Sequence, residues 1–369
     1  VSINYLALAN PGVDKLHPYQ PGKPVEELER ELGITNSIKL ASNENPLGLG
    51  PKARAAIERA LPELARYPDA NGFALKSALA KKLGVDTEQL ILGNGSNELI
   101  DLVYHTFVNA EHEIVYSQYT FIVYALATQS HGAKATVVPA KNLGHDLEAM
   151  AAAITERTKL VCITNPNNPT GTFLTKSELS TFLAKVPRQV LVILDEAYTE
   201  YVSEEERHPS IDWLAQYPNL IVSRTFSKAY GLAGLRVGYM VAHPELISVL
   251  NRVREPFNCN SLALAAAEAA LDDEAYLEEA VSLNRREMAR YEQFFDKQGL
   301  RYVKSQANFI TLDLQRDASG VYEALLREGV IVRPIAGYGL PSCLRISIGL
   351  EHENQRCIAA IEKVLSQGV

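Results

Sequence analysis

An α/β fold is predicted, in which a mainly parallel seven-stranded sheet is covered by helices and joined to a smaller α+β unit and an N-terminal arm. Three observations predict it. Between about residues 86 and 242, short apolar runs alternate with longer helix-periodic stretches, the rhythm of strands linked by crossover helices. The runs are apolar enough to be covered on both faces. The chain has 369 residues, 47% hydrophobic and 22% charged, which is long enough for more than one core.

The elements follow in order. Residues 1–22, ending in a Pro-rich stretch, read as an arm. VEELEREL is a short charged helix, and NENPLGLG is a Gly- and Pro-punctuated crossover. Strands are expected at Gln89 to Leu92, Ile114 to Tyr116, Ala135 to Val138, Leu160 to Ile163, Val190 to Leu194, Leu220 to Ser223 and Val237 to Val241. Helical runs at Ser261 to Leu271 and Asp273 to Gln298 then lead to strands near Phe309 to Leu314, Val330 to Val332 and Leu344 to Ile348, and to a terminal helix. The large domain is expected over 46–258, and the smaller one over 23–45 and 259–369.

Composition excludes several functions. Thirty-six Lys and Arg against forty-four Asp and Glu leave a net charge of −8, the wrong sign for a dedicated nucleic-acid binder. Apolar stretches such as Ala263 to Ala267 fall far short of a membrane span. No cationic leader precedes an apolar run at the start, so a cytoplasmic location is expected. Cys162, Cys259, Cys343 and Cys357 form no CxxC pair, and His112 and His352 beside glutamates read as surface, so no metal site is expected.

In a parallel sheet, ligands collect where strands end, and four such places carry polar residues. After LILG, Gly93-Asn94-Gly95-Ser96-Asn97 opens a helix, so free backbone N–H groups and a positive helix end form an anion site. An ordinary strand-to-helix turn has the same appearance in isolation, and neither GxGxxG nor a Walker loop is present. After LVCI comes Thr164-Asn165-Pro166-Asn167-Asn168-Pro169-Thr170-Gly171, a turn fixed by two prolines and furnished with hydrogen-bonding asparagines. After VLVIL, Asp195 ends a strand with Tyr198 three residues on. After LIVS come Arg224-Thr225-Phe226-Ser227-Lys228 and, beyond two glycines, Arg236. A lysine is ordinarily a solvated surface charge. Here hydroxyls and cations surround it, a setting that lowers an amine pKa and frees a nucleophile. An amine beside a phosphate site points to Schiff-base chemistry with pyridoxal phosphate.

The ordered set NNPTG (167–171), DEAY (195–198) and SRTFSKAYGLAGLRVG (223–238) resembles the pyridoxal-phosphate enzymes of the aspartate-aminotransferase fold, fold type I. HPYQPGKP, SNENPLG, RYPD and LRISIG resemble the histidinol-phosphate aminotransferase branch, so the likeness spans essentially the whole chain. It implies that Lys228 forms the cofactor aldimine and shuttles the substrate's α-proton, and that Asp195 pairs with the pyridine nitrogen. It implies that Tyr198 and Asn168 bond the ring oxygen and that Tyr119 stacks on the ring. The phosphate falls to Ser96, Asn97, Thr225, Ser227 and Arg236. Tyr67, in RYPD, is implied to reach the neighbouring subunit's cofactor, hence a homodimer with shared sites.

Arg345 and Arg333 are implied as grips for a substrate carboxylate or phosphate, with Tyr19 and Asn43 on the substrate side. Tyr338, in GYGLP, is a candidate pocket wall. The implied reaction moves an amino group between L-histidinol phosphate and 2-oxoglutarate, in histidine biosynthesis. An aromatic amino-acid aminotransferase, a threonine-phosphate decarboxylase and a non-catalytic cofactor-binding domain share most of these residues.

Overall fold

The computed structural model describes residues 3–16 and 23–368. Tyr19 therefore lies outside the described residues. The strands are β1 (Ile38–Lys39), β2 (Leu90–Gly93), β3 (Glu113–Ser117), β4 (Lys134–Val138), β5 (Thr158–Thr164), β6 (Leu191–Asp195), β7 (Leu220–Thr225), β8 (Gly238–Ala242), β9 (Arg301–Val303), β10 (Phe309–Asp313), β11 (Val330–Ile331), β12 (Arg333–Pro334) and β13 (Cys343–Ser347). The helices are α1 (Val25–Leu32), α2 (Pro51–Ala60), α3 (Phe73–Leu83), α4 (Ser96–Phe107), α5 (Ile122–Ser130), α6 (Leu147–Ala152), α7 (Lys176–Lys185), α8 (Pro244–Asn251), α9 (Ser261–Leu271), α10 (Glu274–Gln298), α11 (Ser319–Arg327) and α12 (Glu351–Ser366).

Seven strands form the large sheet in the order β2-β8-β7-β6-β5-β3-β4. All pairs are parallel except those made by β8, which runs against both β2 and β7. No α-helix separates β7 from β8, so the chain turns back beside the strand it has just left instead of crossing over. The inner strands are largely apolar because both of their faces are covered, whereas the edge strand β4 is mostly exposed. Leu90, Val161, Ile163, Val192, Leu194 and Val222 enter one core, while Ile91, Leu160, Cys162, Ile193, Ile221 and Met240 enter the other. That division follows the two-residue period of a strand.

Helix ends follow local chemistry. Thr175 and Glu178 close a reciprocal capping box at the start of α7, and Asn260 accepts the Ala263 N–H at the start of α9; each satisfies donors a helix start leaves free. The 25-residue α10 stops at Gly299 with φ +65°, a left-handed terminus suited to glycine.

The second unit is a four-stranded antiparallel sheet, β12-β13-β10-β9, packed against α10, α11 and α12 through Tyr291, Phe295, Leu325, Leu344, Cys357 and Ile361. β1 joins it from the other end of the sequence, pairing in parallel with β11 through Ile38↔Val330 and Lys39↔Ile331. The strand expected over Val330 to Val332 is the two-residue β11, and the short β12 follows it in a different sheet. And α9, expected in the smaller unit from residue 259, packs on α2 and α3. Its Ala263, Ala266, Ala267 and Ala270 face join the core of the large sheet. Small side chains permit that close approach, so the smaller unit begins only after this helix.

The carboxyl ends of β5, β6 and β7 lie side by side, with Thr164 opposite Asp195 and Asp195 opposite Ser223. The three polar loops read from the sequence thus emerge at one edge, facing the smaller sheet.

Candidate active site

A cavity of about 280 Å³ opens at that edge. A larger groove of about 910 Å³ lies elsewhere, between residues 141–148 and 303–306, and holds none of the lysine, carboxylate and arginine set. The smaller cavity is walled by Asp195, Ala197 and Tyr198 after β6, by Thr225, Ser227 and Lys228 after β7, and by Arg333 and Arg345 from the smaller sheet.

Asp195 is buried, which raises its carboxyl pKa to about 6 against the lowering effect of a hydrogen bond from Tyr124. Tyr124 Oη donates to Asp195 Oδ2 at 3.0 Å, and the Ala197 N–H donates to Oδ1 at 3.2 Å. Both oxygens are thereby fixed at the cavity floor. Lys228 lies half-buried in the wall, its amine pKa lowered to about 8 by burial first and then by Arg345 and Arg236, with Glu44 acting in the opposite direction. Its Nζ donates to Ser42 O at 3.4 Å and stands 5.8 Å from the Tyr198 ring centre.

Tyr198 is buried, and burial pushes its phenol up to about 12. Asn43 Nδ2 and Asn168 Nδ2 donate to its oxygen at 3.0 and 3.2 Å, while Asn43 is held from behind by Ser347. These contacts join the 42–45 segment, the Asn-Pro loop and the β6 end around one phenol.

One end of the cavity is built for an anion. Gly95 precedes α4 at φ +83° with no side-chain cap, leaving the first helical N–H groups at Ser96 and Asn97 beside the cavity. A Cβ at Gly95 would stand 2.6 Å from Arg236 Nη2, so the absence of a side chain lets the guanidinium reach the helix end. Arg236 Nη1 donates to Ser227 Oγ at 3.4 Å, and Thr225 Oγ1 donates to the same oxygen at 3.0 Å.

At the opposite end, Arg333 and Arg345 are register partners on adjacent antiparallel strands, so their side chains share a face. Arg345 is buried, stacks 5.3 Å from the Phe309 ring centre, and donates to Asn168 Oδ1 and Ala41 O. Two anion-binding ends with an amine between them suit a phosphorylated cofactor and an anionic substrate brought together at one nitrogen.

Of the residues expected from sequence, Ser96, Asn97, Asn168, Asp195, Tyr198, Thr225, Ser227, Lys228, Arg236, Asn43, Arg333 and Arg345 meet at this cavity. Tyr119 does not line it: its ring packs with Ile335, Leu340 and Tyr338, and Tyr338 and Phe121 supply aromatic wall instead. Tyr67 is also outside it, 83% exposed and stacked on Phe257 with ring centres 4.7 Å apart. Tyr124 was missed, because a helix residue contacts Asp195 only once the order β6-β5-β3 brings α5 alongside. Glu44 was missed as well, having no motif beyond SNENP to mark it.

A fold of this kind, with a lysine and an aspartate set between two arginine-bearing ends, defines a transaminase class. The chain belongs to the aminotransferase class I and II family, whose model matches residues 35–361. Within that family it is 60% identical to histidinol-phosphate aminotransferase 1 of Mannheimia succiniciproducens, over 99% of this chain and 100% of that one. It is 58% identical to histidinol-phosphate aminotransferase 2 of Haemophilus influenzae, over 98% and 99%. The crystal structure of the Sinorhizobium meliloti histidinol-phosphate aminotransferase in complex with pyridoxal-5'-phosphate is similar at a TM-score of 0.89 and 30% identity, covering 97% of this chain and 98% of that one.

Proposed function

We propose that this chain is the pyridoxal-phosphate-dependent aminotransferase that exchanges an amino group between L-histidinol phosphate and 2-oxoglutarate in histidine biosynthesis. The observation that carries the reading is that Lys228 shares one cavity with an anion cradle at the start of α4 and with the Arg333–Arg345 pair, feeling the charge of both Arg236 and Arg345. The cradle fits the cofactor's phosphate, since Gly95 leaves room that a Cβ would fill. Bound there, pyridoxal phosphate supplies an aldehyde that exchanges amine partners and a protonated ring that draws electrons from the substrate α-carbon.

The chain's residues divide the remaining work. Lys228 holds the aldehyde carbon and, once displaced by the substrate amine, moves the proton at the substrate's α-carbon. Its lowered pKa leaves a usable share of neutral amine at physiological pH. Asp195, oriented by Tyr124 and Ala197, keeps a proton on the ring nitrogen, and the buried position makes that ion pair strong. Tyr198 and Asn168 hydrogen-bond the ring oxygen. Ser96, Asn97, Thr225, Ser227 and Arg236 hold the phosphate, and Phe121 and Tyr338, not Tyr119, supply the aromatic wall beside the ring. Arg345 and Arg333, with Asn43 and Tyr19, grip the substrate anion; a planar guanidinium serves carboxylate and phosphate ester alike, which lets glutamate and histidinol phosphate use one site in turn.

The active form is a homodimer in which Tyr67 completes the neighbouring subunit's phosphate site. Support comes from the exposed Tyr67–Phe257 stack and from the exposure of Leu61, Leu64 and Phe73, which lie within a few residues of Tyr67 in the sequence. Tyr67 lies outside the cavity of its own subunit and stacks on Phe257, which supports reading it as a residue that serves the neighbouring one. Among the described residues no helix is long and apolar enough to cross a membrane, and a reaction between two small polar metabolites fits a cytoplasmic enzyme.

The deciding experiment compares kcat/KM for histidinol phosphate, phenylalanine and tyrosine with 2-oxoglutarate as acceptor. Histidinol phosphate is expected to lead by at least about a hundredfold, since its doubly charged phosphate ester can engage both Arg333 and Arg345 where an aromatic amino acid offers one singly charged carboxylate. A preference for phenylalanine or tyrosine would transfer the chain to the aromatic aminotransferases.

A further inference from the structure

The two strands that present Asp195 and Lys228 are tied together on their reverse side. Successive side chains along a strand point to opposite faces. Asp195 and Thr225 face the cavity, and their neighbours Glu196 and Arg224 face away from it. Arg224 Nε donates to Glu196 Oε2 at 2.9 Å, its Nη2 stands 2.8 Å from the same oxygen in an ion pair and donates to Ser210 Oγ at 3.4 Å, and Ser210 Oγ in turn donates to Glu196 Oε2 at 2.9 Å. The Glu196 side chain is 1% exposed and that of Arg224 is 11% exposed. The backbone adds a further link, with the Glu196 N–H donating to Ser223 O at 2.8 Å.

Burying two charges carries a desolvation cost that largely offsets their attraction, so a pair of this kind contributes little net stability over a well-packed apolar pair. What it does supply is geometry. The guanidinium is a rigid fork: one arm bonds the carboxylate of the residue adjoining Asp195, and the other bonds Ser210, which itself donates to that carboxylate. Lys228 follows Arg224 by four residues, through a turn closed by the Ser227 N–H on Thr225 Oγ1 at 3.1 Å. A slip between the ends of β6 and β7 would therefore displace the carboxylate and the amine relative to each other.

We propose that Glu196 and Arg224 are positioning residues, an ionic clamp behind the sheet that sets the spacing of the groups holding the two ends of the cofactor ring. The proposal rests on the reading that pyridoxal phosphate binds at Asp195 and Lys228. Arg224 acts from β7, Ser210 from the loop after β6, and neither lines the cavity, so none of the three needs to touch cofactor or substrate.

The test uses the holoenzyme and the variants Arg224→Gln, Arg224→Lys, Glu196→Gln and Ser210→Ala. Two quantities are read on protein shown to be folded: the visible circular dichroism of bound pyridoxal phosphate, which reports ring orientation, and kcat and KM separately. Arg224→Gln is expected to lower kcat on the order of tenfold to a hundredfold, the range a misplacement of about 1 Å can cost, with KM within about twofold. It is also expected to reduce the visible dichroism. Arg224→Lys, which keeps the charge but not the fork, should recover only part of both. Should Arg224→Gln and Glu196→Gln fail to fold, Ser210→Ala decides, because it removes one neutral hydroxyl; it should shift the dichroism in the same direction by less. Folded variants with parental dichroism and parental kcat would overturn the clamp. A parent protein that gives no visible dichroism with pyridoxal phosphate would instead overturn the cofactor reading on which the clamp rests.

Discussion

Arg345 Nη1 donates a 2.6 Å hydrogen bond to Asn168 Oδ1, joining an inner strand of the smaller sheet to the loop after β5. The arginine expected to grip substrate is therefore already oriented by an asparagine expected to serve the cofactor. Its second arm is fixed on Ala41 O at 2.8 Å. A substrate anion meets a guanidinium whose plane is set in advance, which lowers the ordering cost of binding. Arg345→Lys keeps the charge and loses this fork. Steady-state kinetics should show kcat/KM falling roughly thirtyfold, about 2 kcal/mol, for histidinol phosphate and for glutamate alike. A loss confined to one of the two would mean that they do not share the arginine.

Lys228 supplies a pH prediction. Its pKa is lowered from 10.5 to about 8, so its nucleophilic neutral form dominates above about pH 8 and falls tenfold per unit below it. The rate at which cofactor-free protein captures pyridoxal phosphate, followed by stopped-flow absorbance, should rise with pH through a midpoint near 8. A midpoint near 10.5 would show an ordinary exposed amine. Because the unfolded chain holds this proton up to its higher pKa, the cofactor-free protein should also gain stability from this group as pH rises from 8 to 10.5. Lys228→Ala should lose both effects, and with them the yellow colour of the parent.

Gly95 sits at φ +83° with Arg236 Nη2 only 2.6 Å from where a Cβ would lie. Gly95→Ala should push the guanidinium off the start of α4 while leaving the sheet unaffected. Equilibrium dialysis should find pyridoxal phosphate bound at least about tenfold more weakly, the scale of one charge-assisted contact, with little change in far-ultraviolet dichroism. Unaltered affinity would remove Arg236 from the phosphate cradle.

Tyr67 gives a prediction that only an oligomer can satisfy. Subunits carrying Tyr67→Phe and subunits carrying Lys228→Ala should each be impaired, yet mixing them after dissociation should restore a share of intact sites. Activity that never rises on mixing, despite proven subunit exchange, would place Tyr67 outside its neighbour's site.

The large sheet was legible in the sequence because strands buried on both faces are apolar along their whole length. The runs LVCI, VLVIL and LIVS needed no tertiary information, and their polar followers delivered Asn168, Asp195 and Lys228 to one edge. What escaped depended on the order of strands. Tyr124 meets Asp195 only through the adjacency of β3, β5 and β6, and the Glu196–Arg224 contact only through the adjacency of β6 and β7. Nor could periodicity allocate α9: an alanine-rich helix has no strongly apolar face to reveal its partner, and its burial against α2 follows from closeness of approach. The two-residue strands β1 and β12 are shorter than any pattern of period two can register.

That pairing of β1 with β11 has a bearing on biosynthesis of the chain. Ile38 leaves the ribosome early and Val330 late, while the segment between them contains every strand of the large sheet. The large sheet can assemble during synthesis, but the smaller unit cannot be finished until its last strands arrive to meet the waiting segment. Arg333 and Arg345 come with those strands. A nascent chain thus acquires its cofactor pocket before its substrate pocket, and a product truncated after Gln298 would keep Lys228 and Asp195 while lacking the means to hold an amino donor.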